Sequence, residues 1–281
     1  MVKILVLSDL HLEQARFLPN AAATKACDVI VLAGDIHTGD RGIRWARETF
    51  ANKPIVYVAG NHEFYGQDWD AGLNTMRETA RVLDVQFLEN DCVEISGVRF
   101  LGATLWTDFE YQGGHLVDKL KKQAYDWFLD YTAIKANAQG RRLTPDMSIS
   151  RHQQTRAWLA GELAKSESSD TVVVTHHYPH KNSTPPRYAL DGMTACYGSQ
   201  LPEDLLLKAG LWIHGHTHAS NNYRINGRNG HQDQYLQVIC NPRGYLLKGM
   251  TVGAENANFN PGLLIESLPD GNWEERHDIC K

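Results

Sequence analysis

The 281-residue chain is short of several things, and each shortage closes off a class of protein. There is no CxxC pair; the five cysteines, Cys27, Cys92, Cys196, Cys240 and Cys280, lie far apart and are odd in number. That spacing suits neither a disulfide framework nor a thiolate zinc site, and reduced thiols in a cytoplasm fit it best. Apolar runs of membrane length are missing, so a soluble, unanchored, cytoplasmic chain is expected. The opening MVKILVLSDLH is too short to span a bilayer and runs into polar residues instead of a small-residue cleavage site, which reads as a first buried strand. Basic excess is missing too. A formal net charge of -5 and a pI near 6.2 disfavour a dedicated nucleic-acid binder, because gripping a phosphate backbone needs positive charge.

What is present is an ordinary globular composition, 42% apolar, with no internal repeat, low-complexity tract or obvious linker, so a single domain over residues 1–281 is the simplest count. Short apolar runs at 2–7, 28–33 and 55–59 alternate with helical patterns such as 41–52, and that alternation predicts βαβ units and a largely parallel sheet. Residues 85–88, 92–95 and 98–101 read as further strands, the last two joined by Ser96-Gly97 as a hairpin turn. Asn226-Gly227 and Asp270-Gly271 are hairpin signals of the same kind near the C-terminus. Apolar residues at helical spacing from Leu116 to Ile134 predict one amphipathic helix, either packed on the core or capping a cleft; with its flanks it forms a helical insertion over 109–150. Another helix is expected around 151–164, and a short one in PEDLLLKAG, with Pro202 suited to its first turn and Gly210 just past its end.

One pattern recurs. VLSDLH ends on Asp9 and His11, VLAGD on Asp35, VAGNH on Asn61 and His62, VVVTHH on His176, and IHGHTH on His216 and His218. In an open α/β sheet the carboxyl ends of strands line one rim, where ligands bind, so these remote residues are expected to meet. Alone, Asp9 or Asp35 reads as a helix N-cap, His11 or His176 as a core histidine, and Gly34, Gly60 or Gly215 as a tight turn. Jointly they read as a metal site. Carboxylate, imidazole and amide without thiolate suit manganese, iron or zinc. Asp9, His11, Asp35, Asn61, His176, His216 and His218 are too many for one ion and about right for two, with Asp35 as a carboxylate able to bridge them.

The series DLH, GD, GNHE, THH and GHTH resembles that of the calcineurin-like metallophosphoesterases, spanning Asp9 to His218. The resemblance implies an αββα fold, two mixed β-sheets packed as a sandwich flanked by helices, with the motifs on loops at one edge. It implies one divalent cation on Asp9, His11, Asp35 and His218 and another on Asp35, Asn61, His176 and His216. It implies that His62 serves the leaving oxygen of a substrate and that Glu63 orients its neighbours.

The expected chemistry is in-line hydrolysis of a phosphate mono- or diester by a hydroxide held between the cations, with His62 as general acid. Arg243 in NPRGY faces a phosphate or fixes a turn after Pro242; Tyr65 and Arg187 are further candidates for substrate contact, and His37, His177 and His180 weaker ones for the cleft wall. His214 belongs to its strand. Trp106, Trp127 and the aromatics near Tyr188 and Tyr197 either line a pocket or fill the core. Two alternatives stay open: a metal-dependent scaffold without turnover, and a nuclease of the same superfamily, the latter disfavoured by the acidic pI.

Overall fold

A computed structural model describes the chain except residues 166–170, 190, 230–231, 247–253 and 277–281. The chain lays down β1 (Lys3–Leu7), β2 (Val29–Ala33), β3 (Ile55–Val58) and β4 (Gln86–Phe87), then β5 (Asp91–Ile95), β6 (Val98–Ala103), β7 (Thr171–Thr175) and β8 (Leu211–His214). It continues with β9 (Asn221–Asn229), β10 (Gln232–Cys240), β11 (Leu264–Ser267) and β12 (Trp273–Arg276). They form two six-stranded sheets, ordered β12-β11-β1-β2-β3-β4 and β5-β6-β7-β8-β10-β9. Both are mixed: β1, β2, β3 and β4 run parallel, as do β6, β7, β8 and β10, while β11 with β12, β5 and β9 pair antiparallel at the edges.

Alternation along the strands explains the layering, since successive side chains in a strand point to opposite faces. Ile4, Val6, Val29, Val31, Val56 and Val58 from one sheet meet Phe100, Val172, Val174, Leu211 and Ile213 from the other. The intervening residues Leu5, Leu7, Ile30, Leu32, Ile55 and Tyr57 face outward onto α1 (Ala21–Ala26), α2 (Arg41–Thr49) and α3 (Trp69–Val82) through Ala23, Ile43, Ala46, Leu73 and Met76. The far face of the second sheet, with Leu101, Val173, Trp212 and Val238, is covered by Leu159 and Leu163 of a helix over Pro145–Leu163 and by Leu205 and Leu206 of a short one over Glu203–Leu206. This is the αββα sandwich. Strands buried on both faces read as unbroken apolar runs, and each fully buried Val, Leu or Ile contributes roughly 1.5–3 kcal/mol before conformational entropy is counted.

Four features depart from the sequence expectations. The stretch from Leu116 to Ile134 is two helices, α4 (Val117–Trp127) and α5 (Asp130–Ala133), because Phe128 leaves the helix with extended φ and ψ of -86° and 131°. The break carries Phe128 and Leu129 to a cavity wall and buries Asp130, and it leaves Trp127 85% exposed. The helix over Pro145–Leu163, α6, starts earlier than expected, with Pro145 at its first position, and the one over Glu203–Leu206 is α7, preceded by Pro202. Asn226-Gly227 is no turn: the pair lies inside β9 opposite Tyr235 and Gln234. A Cβ on Gly227 would sit 2.2 Å from Leu207 Cδ1, so this glycine marks a close approach of the chain after α7. Helix α3 was not expected at all; Asp68 caps it, accepting from Ala71 N–H at 2.9 Å. The turns Ser96-Gly97 and Asp270-Gly271 do reverse the chain, between β5 and β6 and between β11 and β12.

Among the described residues no helix is long and apolar enough to cross a membrane. Cys27, Cys92, Cys196 and Cys240 are free thiols, and Cys280 lies outside the described residues.

Candidate active site

The parallel strands β1, β2 and β3 of one sheet and β7 and β8 of the other deliver their carboxyl ends to one rim. Asp9 and His11 follow β1, Asp35 follows β2, Asn61 and His62 follow β3, His176 follows β7, and His216 and His218 follow β8. The turns are tight enough to force left-handed backbone: φ is 51° at Asp9, 45° at His11, 55° at Asp35, 70° at His216 and 47° at His218. Such conformations cost about 1–3 kcal/mol each for residues with a Cβ and persist only where surrounding contacts dictate them. Here the contacts are backbone hydrogen bonds between loops: Asp9 N–H donates to Gly34 O at 2.9 Å and His11 N–H to Asp35 O at 3.0 Å. Gly60 is required for proximity, since a Cβ there would lie 2.1 Å from Asp35 Oδ1.

Two donor clusters result. In the first, His11 Nε2 and His218 Nε2 are 3.0 Å apart and His218 Nε2 is 3.5 Å from Asp9 Oδ1. In the second, His176 Nε2 lies 3.1 Å from Asn61 Oδ1, 3.1 Å from His216 Nδ1 and 3.3 Å from Asp35 Oδ2. Asp35 Oδ2 is also 4.0 Å from His11 Nε2, so this carboxylate stands between the clusters.

The histidines are held from behind. His176 Nδ1–H donates to Ala33 O at 2.9 Å, His11 Nδ1–H to Glu13 Oε1 at 3.0 Å, and His218 Nδ1–H to Glu255 Oε2 at 2.7 Å. Each bond anchors Nδ1 and aims Nε2 inward, the orientation that metal-ligating histidines require. Asp9 accepts the His216 backbone N–H at 2.9 Å, and Asp35 Oδ1 accepts that of His62 at 2.9 Å. Asn61 Nδ2 donates to Asp130 Oδ1 at 2.8 Å and to Tyr65 Oη at 2.9 Å, which turns Asn61 Oδ1 toward the cluster. Glu63 points away from it: fully buried, it accepts the N–H groups of Asp35, Ile36 and Gly60 at 3.0, 2.9 and 2.8 Å and the Tyr57 hydroxyl at 2.7 Å, tying two motif loops together.

Charge follows the same design. Burial pushes the Asp9 and Asp35 carboxyls upward, but the surrounding histidines pull both below the usual range, so they stay ionised. His216 is kept neutral, well below the usual range, by burial and by neighbouring imidazoles. Burial also opposes charge on His62, yet Asp35 and a 3.3 Å bond from Nδ1 to Glu13 outweigh it and raise its pKa above the usual 6.5. Imidazole nitrogens meet at 3.0–3.1 Å beside ionised carboxylates, which against the effect of burial raise the pKa of His176 to about 9 and of His218 to about 10; a donor set that holds protons this tightly without an ion is one in which a divalent cation would take their place.

Above the clusters opens a cavity of about 340 Å³, lined by Asp35, Asn61, His62, His216 and His218 at its floor. Tyr65 and Arg187 line it as well. Arg243 does not: its guanidinium donates to the carbonyls of Leu10, Ala15 and Arg16 at 2.9, 3.2 and 3.2 Å, which is the turn-fixing alternative. His37 bonds its neighbour Thr38, His180 faces Glu203, and His214 binds Ser183 at 2.8 Å within the strand layer. His177 lies under His216 with ring centroids 4.4 Å apart, its Nδ1 bonded to Thr104 O, and burial drops its pKa to about 3. Trp106 fills the core.

Sequence reasoning missed Glu13, Asp130, Glu255 and Tyr245. Tyr245 places its hydroxyl 3.1 Å from His62 Nε2 and its ring 4.4 Å from that of His11. Only Glu13 left a readable signal, as a carboxylate two residues beyond a ligand candidate.

Sheets, rim and donor set together define a metal-dependent phosphoesterase. The calcineurin-like phosphoesterase family model matches residues 2–220, and the chain belongs to that family. An uncharacterized protein of Acanthamoeba polyphaga mimivirus is 23% identical over 290 residues, covering 92% of this chain and 94% of the relative. The crystal structure of phosphopantetheinyl hydrolase from Mycobacterium tuberculosis superposes with a TM-score of 0.62 at 18% identity, over 86% of this chain and 89% of that one, which places the fold alone.

Proposed function

We propose that the chain is a dinuclear hydrolase of small phosphate mono- or diesters. The observation that carries this reading is the placement of Asp35 Oδ2 between two donor clusters, 3.3 Å from His176 Nε2 and 4.0 Å from His11 Nε2, under an open cavity. Asp9, His11, Asp35 and His218 would hold one divalent cation, and Asp35, Asn61, His176 and His216 the other, with manganese, iron and zinc favoured by the ligand chemistry. Bound there, the ions supply Lewis acidity: activation of water and neutralisation of phosphoryl charge.

The chain's own residues supply the rest. His62 Nε2 lies 3.9 Å from Asp35 Oδ2 on the cavity floor, placed to give its proton to the leaving oxygen. Glu13, on Nδ1, stabilises the imidazolium before transfer and sets which nitrogen carries the mobile proton. Arg187 at the wall is the cation able to reach phosphate oxygens, in place of Arg243. Residues 109–150 act as a cap insertion, since Phe128 and Leu129 form part of that wall. The chain is read as a single domain over 1–281, and the four free thiols among the described residues accord with a reducing, cytoplasmic setting.

The test is metal-stripped protein titrated with Mn²⁺, Fe²⁺, Zn²⁺, Ni²⁺ or Mg²⁺ and assayed on a panel of phosphate mono- and diesters, beside Asp35→Asn. Metal-dependent turnover and a bound stoichiometry near two are expected, both reduced in the variant. Full activity of Asp35→Asn with two ions still bound would refute the bridge. Tight metal binding with no turnover of any ester would favour the scaffold reading.

A further inference from the structure

The large hydrophobic side chains that stay exposed are not scattered evenly. Among the described residues they are Met1, Leu18, Val82, Trp127, Leu129, Tyr188, Tyr197 and Tyr245, and Leu129, Tyr188, Tyr197 and Tyr245 all line the cavity above the donor clusters. Phe128 joins them, edge-on to Tyr197 with ring centroids 5.3 Å apart at 84°. Single exposed apolar residues are normal, whereas a contiguous group beside a cleft marks a ligand surface. Tyr197 sits directly against the site, its ring centroid 5.1 Å from that of His216. The cavity's 340 Å³ lies at the small end of ligand pockets, which fits one ring-bearing molecule and not a folded partner.

These facts bear on the substrate and rest on the phosphoesterase reading. We propose that Tyr197, Phe128 and Tyr188 form a subsite for a flat aromatic ring, so that the favoured substrates are small phosphate esters whose organic group carries an aryl or heteroaryl ring. Aromatic pairs prefer the edge-to-face and offset arrangements that Tyr197 and Phe128 already show, and a third ring laid against them sheds water from surfaces now wet. Arg187, with its guanidinium 4.8 Å over the Tyr188 ring, presents positive charge at the same wall, where it meets phosphate while the organic group rests on the tyrosines. A saturated group of equal size gains apolar contact but no ring stacking, and an aromatic platform is worth about 1–3 kcal/mol per stacked base. That is about fivefold or more in affinity at the low end.

The test uses matched pairs that share a leaving oxygen and differ in the ring: benzyl phosphate against cyclohexylmethyl phosphate, and adenosine 5'-phosphate against ribose 5-phosphate. With metal-loaded enzyme, kcat/KM is expected to favour the ring-bearing member at least fivefold in one pair. The benzyl pair tells of a ring next to phosphorus, the nucleotide pair of one beyond a sugar. Tyr197→Leu should bring the ratio toward one, chiefly through KM, while Tyr197→Phe retains it; Tyr188→Leu, at an exposed position, repeats the test if Tyr197→Leu folds poorly. Equal rates within both pairs would overturn the subsite and leave the phosphoesterase reading standing. Should no ester be turned over, calorimetric binding of benzylphosphonate against cyclohexylmethylphosphonate decides the subsite alone: a fivefold preference supports it, and equal affinity overturns it.

Discussion

Replacing Asp130 with alanine should weaken one metal site and spare the other. Asp130 is 3% exposed and sits on α5 of the helical insertion, far in sequence from every ligand candidate. Its Oδ1 accepts from Asn61 Nδ2 at 2.8 Å and from the Tyr65 hydroxyl at 2.7 Å. An asparagine amide can present either end to a cation, and only the carbonyl end is a ligand. The carboxylate decides the matter, because with it in place a flipped amide would set oxygen against oxygen behind Asn61 and N–H groups against the cluster. Outer partners of this kind are typically worth 10–100-fold in metal affinity, about 1.4–2.8 kcal/mol. The truncation also leaves the Tyr65 hydroxyl without its acceptor, at a cost of roughly 1–3 kcal/mol in stability. For a chain of this size that is a fall in Tm on the order of 2–10 °C.

Chelator competition on metal-free protein reads both affinities. The wild type should show two, and Asp130→Ala should lower one of them by 10-fold or more, while the affinity set by Asp9, His11 and His218 stays. Asp130→Asn keeps an oxygen where Oδ1 stands and should lose less. Two unchanged affinities in Asp130→Ala would refute the orienting role, and an equal loss at both would mean that the variant had damaged the rim as a whole.

Other expectations follow from single features. His62→Asn should bind metal normally and slow esters of poor leaving groups by about 10²–10⁴-fold, the usual worth of a general acid, with a smaller effect on p-nitrophenyl esters; equal losses argue against proton donation. Gly60→Ala would drive a Cβ into Asp35, whose Oδ1 lies 2.1 Å from that point, so metal stoichiometry should fall below that of the wild type and Tm should drop; normal metal content would show that the loop can yield. His214 is held neutral by burial, its pKa lowered from the usual 6.5 to about 4. A depressed folded-state pKa means that its contribution is present above pH 6.5 and is lost as pH falls toward 4, by about 3 kcal/mol. Urea unfolding of metal-free protein across that window should steepen for wild type relative to His214→Gln, and parallel curves would refute the assignment.

Much of this was legible because the strands that carry the motifs are buried on both faces, so Val29–Ala33 or Thr171–Thr175 appears as an apolar run that stops at a ligand candidate. Topology then brings the ends together without long-range information. Other features were illegible for identifiable reasons. Glycine marks either a reversal or a close approach, and Gly227 proved to be the second. Arginine after a proline can serve a ligand or its own loops, and the carbonyls that occupy Arg243 lie on residues 10–16, more than 220 positions away in sequence. The helical stripe from Leu116 to Ile134 is continuous in composition, yet a tertiary demand, the burial of Asp130 against Asn61 and Tyr65, breaks it at Phe128.

Local rules fail most at the rim, and that concentration is itself informative. Left-handed backbone at Asp9, His11, Asp35, His216 and His218, two buried carboxylates, and several buried imidazoles are separately unfavourable, and they coincide in one small volume. Strain of this kind persists where the rest of the structure dictates it, and here the dictating parts are the bonds that Asp9 and His11 N–H groups donate to the Gly34 and Asp35 carbonyls, the Glu63 carboxylate and the double-faced strands beneath. A chain selected only for stability would relieve these positions with glycine, leucine or a looser turn. Their coincidence makes sense when the unfavourable terms are offset by a bound partner that is cationic, needs several hard and intermediate donors at once, and leaves one side open toward the cavity.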